Sequence, residues 1–138
     1  MNDIKKARQI LEEVNYSLVV VKGGKVTFTS EDRGIKPMYY LSKNMKDEVK
    51  GGSIADKVIG RGAALLSIYL NIKQVYGKVM SKEAVEVLEG ENIPYGFETL
   101  CDCIQNRDKS GLCPVEKLSL NIVDPTILLK KLEEFLQQ

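Results

Sequence analysis

The chain has 138 residues, 43% hydrophobic and 28% charged, which suits one domain around one core. Its 20 basic and 19 acidic residues leave a net charge of +1, no electrostatic footprint for nucleic acid or an anionic membrane. His is absent, which removes the commonest general base and metal ligand, and three cysteines without paired Cys-x-x-Cys spacing read neither as a disulfide framework nor as a structural zinc site. No apolar run approaches the ~18 residues that span a bilayer. The opening "MNDIKKARQILEEV" lacks the apolar stretch of a signal peptide, so a cytoplasmic location with reduced thiols is expected.

Asp3 is positioned to cap a first helix, in which Ile4, Ala7, Leu11 and Val14 recur at helical spacing. Two β-rich runs, "YSLVVVK" and "KVTFTS", then flank Gly23-Gly24, a hairpin signal because a tight turn of this kind needs two positive φ values. Leu18 to Val21 is continuously apolar and reads as a central strand. Pro37 suits the start of a helix running to about Val49, which Gly51-Gly52 end. The stretch "GGSIADKVIGRGAALL" predicts a buried helix from Ser53 to about Leu70, apolar nearly all round after its first turn, with Gly60 and Gly62 on a small-residue face. "KQVYGKVM" reads as a strand. "SKEAVEVLEGEN" reads as a helix capped by Ser81 and stopped at Gly90, and "IPYGFETL" as a further strand. "CDCIQNRDKSG" is irregular. Pro114 starts a short helix just after Cys113, and Asp124-Pro125 caps a last amphipathic helix through Leu128, Leu132 and Phe135. A hairpin followed by β-α-β units implies a mixed sheet with helices on both faces.

That order, with the segments "SLVVVKGGKVTFTS", "RGIKP", "ADKVIGRGAALL", "VYGKVMS" and "NRDKSGLCPVEK", resembles the cytidine deaminase-like fold. More closely, it is similar to a bacterial and archaeal family of unknown function placed within that fold. The resemblance spans most of the chain and implies a single three-layer α-β-α domain over residues 1–138. In zinc deaminases a His-Ala-Glu or Cys-Ala-Glu motif opens the central helix and a Pro-Cys-x-x-Cys motif opens the next. The three ligands hold zinc and the Glu shuttles protons. Here the first motif falls near "IADK" and the second near "VMSKEA", where no His stands and where no Cys precedes Cys101. The resemblance therefore implies the architecture, and the residues argue against a metal site, a cofactor and deaminase chemistry.

Each candidate residue has a structural reading beside a chemical one. Ser53-x-x-Asp56 matches a capping box, and a carboxylate in a first turn suits the helix dipole. The chemical reading puts Asp56 in the former proton-shuttle region and Lys57 beside it as a charge for an anionic ligand. Gly51-Gly52 reads first as a helix stop and only second as an anion-binding turn. Arg33 and Lys36 are either solvated charges or a grip on phosphate or carboxylate. Cys113, at a helix start near Arg107, is either a small buried hydrophobe or a thiol of lowered pKa able to act as a nucleophile, for which no His exists as partner base. Tyr39, Tyr40 and Tyr76 are candidates for base stacking that more often serve as half-buried core.

The expected function is thus a zinc-free, deaminase-like domain binding a small nucleotide-like or phosphorylated ligand. Its pocket would lie at the N-termini of helices starting near Ser53 and Ser81. Ser53, Asp56 and Lys57 would line the floor, with Arg33, Lys36, Ser81, Arg107 and Cys113 around it. Two alternatives stand beside it. One is a hydrolase or transferase using Asp56 as acid/base or Cys113 as nucleophile, and the other is a non-catalytic regulatory or structural subunit. The nucleotide and an expected homodimer come from the resemblance alone.

Overall fold

The first helix, α1 (Asp3–Val14), is capped by the Asn2 side chain, which accepts from Lys5 N, and it stops at Asn15, which takes a left-handed conformation at φ 62°. Asp3 is not the cap. Its carboxylate reaches across to the hairpin turn, where it accepts from Gly23 N at 3.0 Å and Gly24 N at 2.9 Å. That turn joins β1 (Leu18–Lys22) to β2 (Lys25–Ser30), with both glycines at positive φ as the sequence predicts. These elements come from a computed structural model that describes residues 2–105 and 111–137.

The predicted helix to Val49 breaks at Met45, giving α2 (Lys36–Asn44), with Pro37 in its first turn, and a single turn, α3 (Lys46–Val49). Gly51 then turns the chain at φ +80°, and Gly52 has no room for a side chain, since a Cβ there would stand 2.9 Å from Val49 O. The segment that follows departs from the sequence reading. Residues 53–70 are not one helix but a strand, β3 (Ser53–Ile59), and a helix, α4 (Arg61–Tyr69), with Gly60 as the N-cap between them. Ser53 and Asp56 therefore form no capping box. The physical reason is burial on both faces: β3 lies between β1 and β4, so Ser53, Ile54, Ala55 and Asp56 are all buried. A doubly covered strand shows no alternation to separate it from a buried helix.

The remaining elements follow the sequence reading closely: β4 (Gln74–Ser81), α5 (Lys82–Gly90), β5 (Tyr95–Cys101), α6 (Pro114–Ser119) and α7 (Pro125–Leu136). The Ser81 hydroxyl caps α5 by accepting from Ala84 N at 3.1 Å, and Asp124 caps α7 by accepting from Thr126 N at 2.9 Å.

The five strands form one mixed sheet in the order β2-β1-β3-β4-β5. β1 pairs antiparallel with β2 and β3, while β3-β4 and β4-β5 are parallel. Helices cover both faces. On one face α1 sets Ala7 and Leu11 against Val19, Val21, Ala55 and Tyr76. On the other, Leu18, Val20, Ile54 and Val75 meet Leu41, Leu66 and Leu88 from α2, α4 and α5, and α7 closes the layer with Leu128 and Leu132. Each such fully buried Leu contributes roughly 1.5–3 kcal/mol of hydrophobic stabilisation. Among the described residues no helix is long and apolar enough to cross a membrane.

Candidate functional site

A cleft of about 860 Å³ lies at the carboxyl end of β3. Its walls are mainly apolar: Leu18, Ile35, Pro37, Val58, Ala63 and Val115. Its polar lining comes from five places: Asn15 and Ser17 before β1, Glu31 and Arg33 before α2, Asp56 and Lys57 on β3, Gln105 after β5, and Cys113 and Glu116 at α6. Cys113 is brought there by an isolated antiparallel bridge, Gln105 to Leu112, and precedes Pro114 as the N-cap of α6. Ligands of open α/β sheets favour this location beyond the carboxyl end of a strand, and a few polar groups on apolar walls is the usual lining of a small-molecule site.

Asp56 is 8% exposed and its carboxylate accepts from Val58 N at 3.1 Å. Burial pushes its pKa up from 3.8 to about 7, offset in part by the Val58 and Lys57 N–H groups. No Lys or Arg pairs with it among the described residues. Lys57 turns instead to Asn15, donating from Nζ to Oδ1 at 2.7 Å, while its backbone N–H donates to Ser17 O.

Sequence reasoning missed the second carboxylate. Glu116 is 5% exposed, and its Oε2 accepts from Arg61 N at 3.2 Å. It thereby caps α4 from another helix, and burial raises its pKa against the opposing pull of the Arg61 and Gly62 N–H groups. The fit depends on Gly60, where a Cβ would stand 2.0 Å from Glu116 Oε1. Arg61 completes the junction, its Nε donating to Ser119 O at 3.0 Å and its Nη2 to Ile122 O. Within "CPVEK" Glu116 reads as one more surface charge. Gly60 and Gly62, as breaks in an apolar run, were the available signal that a helix begins there.

The predicted site residues divide. Asp56, Lys57, Arg33 and Cys113 line the cleft. Ser53 is a buried residue at the far end of β3 and lines no part of it. Ser81 is spent on capping α5, away from the cleft, which corrects the expectation of a pocket at that helix start. Lys36 is exposed in the first turn of α2 and outside the lining. Arg107, with Asn106, Asp108 and Lys109, lies outside the described residues. Cys101 is half-buried at the end of β5, with its thiol pKa raised by burial, and Cys103 is exposed; these and Cys113 are free thiols. Tyr40 stacks on Phe28 with ring centroids 5.8 Å apart, Tyr39 packs on the larger core, and Tyr76 is buried on the α1 face; none of the three lines the cleft. The donor set does not fit zinc: the chain has no His, and among the described residues no three Cys, Asp or Glu side chains group closely enough to hold a metal.

Fold and cleft together define an α/β protein with an open mixed sheet and two buried carboxylates at the mouth of its central strands. The chain belongs to the TM1506 family, described as a domain of unknown function (DUF1893), whose profile matches residues 6–136. It is similar to the crystal structure of a DUF1893 family protein (TM1506) from Thermotoga maritima, with a TM-score of 0.88 and 26% identity over 96% of this chain and 89% of that one. No curated protein matches it.

Proposed function

We propose that this protein is a zinc-free, deaminase-like domain that binds a small nucleotide-like or phosphorylated ligand in the cleft beyond β3. The observation that carries the reading is the cleft itself: about 860 Å³, apolar walls, buried Asp56 and Glu116, and Arg33 and Lys57 as its basic groups. A volume of that order suits a nucleotide-sized molecule. The deaminase-like label is supported by two nine-residue helices of one layer, α2 and α4, that start at the cleft, as do the motif-bearing helices of zinc deaminases; this moves the motif positions away from the Ser53 and Ser81 regions, where the sequence reading puts them. In this chain the openings read Ile35-Lys36-Pro37 and Gly60-Arg61-Gly62, with no metal ligand. The expected homodimer belongs to the same reading and is checked by sedimentation velocity.

Thermal unfolding with a panel of 5′-nucleotides, nucleosides and sugar phosphates tests the proposal. At 100 times its dissociation constant a ligand stabilises by about 2.7 kcal/mol, a readily measured rise in Tm. Val58→Trp, at an exposed position on the cleft wall, is expected to abolish that rise without unfolding the chain. No response to the panel would leave a non-catalytic structural role as the better account.

A second reading has an observation of its own. The Asp56 pKa of about 7 is the value that suits acid–base catalysis at neutral pH. Turnover that loses its dependence on a group near pH 7 in Asp56→Asn would favour it.

A further inference from the structure

The start of α4, at the cleft, is already occupied. The Glu116 carboxylate sits on the Arg61 N–H, and its Oε1 fills the space beside Gly60. A phosphate at that helix start would have to evict a carboxylate held by the same donors, so the anion site at the α4 N-terminus is closed to it; the start of α2, which has no side-chain cap, lies by exposed Arg33. Asp56, more than nine-tenths buried, lines the same cleft with no Lys or Arg paired to it among the described residues. Two carboxylates facing one cavity attract donors and repel anions. The basic cleft residues are placed differently: Arg33 is exposed, and Lys57 extends to exposed Asn15. The most buried charged side chains of the cleft are therefore acidic, while its opening carries Arg33 and Lys57 beside a single exposed acid, Glu31.

From this we infer that the ligand enters donor-first: an amidine, amino-heteroaromatic or other N–H-rich planar group binds Asp56 and Glu116, and any phosphate stays outside with Arg33 and Lys57. The inference rests on the small-ligand reading above and fixes the orientation of that ligand. It differs from the secondary reading of the sequence, in which the turn at Gly51-Gly52 and the helix start after it hold the anion. The planar group also suits the walls, since Ile35, Pro37, Val58 and Val115 supply apolar surface.

Benzamidine and benzoate, equal in shape and opposite in charge, test the inference by NMR titration of the full chain at pH 8, with inorganic phosphate and a set of 5′-nucleoside monophosphates as further arms. Benzamidine is expected to shift cleft resonances and bind at least tenfold more tightly than benzoate. Asp56→Asn, which keeps the shape and removes the charge, is expected to weaken benzamidine at least tenfold; the comparison of the two probes on the unaltered chain needs no variant to fold. Benzoate or phosphate binding as tightly as benzamidine, or benzamidine indifferent to Asp56→Asn, overturns the inference. Nucleoside monophosphates that bind the unaltered chain and Asp56→Asn equally well overturn the orientation and leave the proposed function standing. Silence of the cleft to every probe, nucleotides included, overturns both.

Discussion

Asp56 carries a cost that depends on pH. Its folded-state pKa of about 7 lies above its ordinary 3.8, so the folded protein holds this proton more tightly than the unfolded chain. The stability linked to that proton is complete below pH 4, falls as pH rises towards 7, and is gone above it. At ~1.4 kcal/mol per pH unit, the penalty at pH 8 is of the order of 2–4 kcal/mol. Asp56→Asn is therefore expected to raise stability in urea melts at pH 8 and to change it little at pH 4; equal effects at both would show that the carboxyl is not desolvated. Glu116 acts differently, as the cap of a helix far from it in sequence. Gly60→Ala is expected to destabilise by about 2–3 kcal/mol, because the new Cβ pushes the carboxylate off Arg61 N and leaves both groups buried without their partner. Pairing Gly60→Ala with Glu116→Ala should recover part of that loss, which a thermodynamic cycle from chemical denaturation measures.

Among the elements, α5 and the hairpin are the parts most plainly written in local chemistry. Ser81 sits where its hydroxyl meets Ala84 N, so Ser81→Ala is expected to cost about 1 kcal/mol. Because Ser81 is not part of the cleft, ligand binding should stay unchanged; a loss of binding would place α5 in the site after all. Gly23 and Gly24 are legible as a turn because no other residue accepts their φ values of +58° and +79° so readily. What no local rule reveals is that Asp3 holds that turn, 20 residues away in sequence. The change of 53–59 from predicted helix to strand has the same origin. Ile54, Val58 and Ile59 have β propensity, but whether a short apolar run extends or coils is decided by its neighbours β1 and β4.

For the whole molecule, the larger core runs without interruption from β1 through α2, α4 and α5 to α7. We therefore propose that residues 1–138 unfold as one unit, with calorimetric and van't Hoff enthalpies in agreement. Leu66→Ala, at a fully buried position in the middle of α4, is expected to destabilise by about 2–5 kcal/mol without splitting the transition. Two separate transitions would show that the sheet and the C-terminal helices fold independently.

The sequence by itself determined the hairpin, the caps at Ser81 and Asp124, the proline-led helices and the exclusion of a histidine-based metal site. Each of these is set by the chemistry of one residue or of neighbours a few positions apart. It also pointed to Asp56, Lys57, Arg33 and Cys113, which do share one cleft. The tertiary structure alone decided that Asp56 stands on a strand, that Ser53 and Ser81 lie elsewhere, and that Glu116 covers the start of α4, 55 residues from Arg61 along the chain. Burial and electric field are sums over everything that packs around a group, and those neighbours are assembled only when the sheet forms.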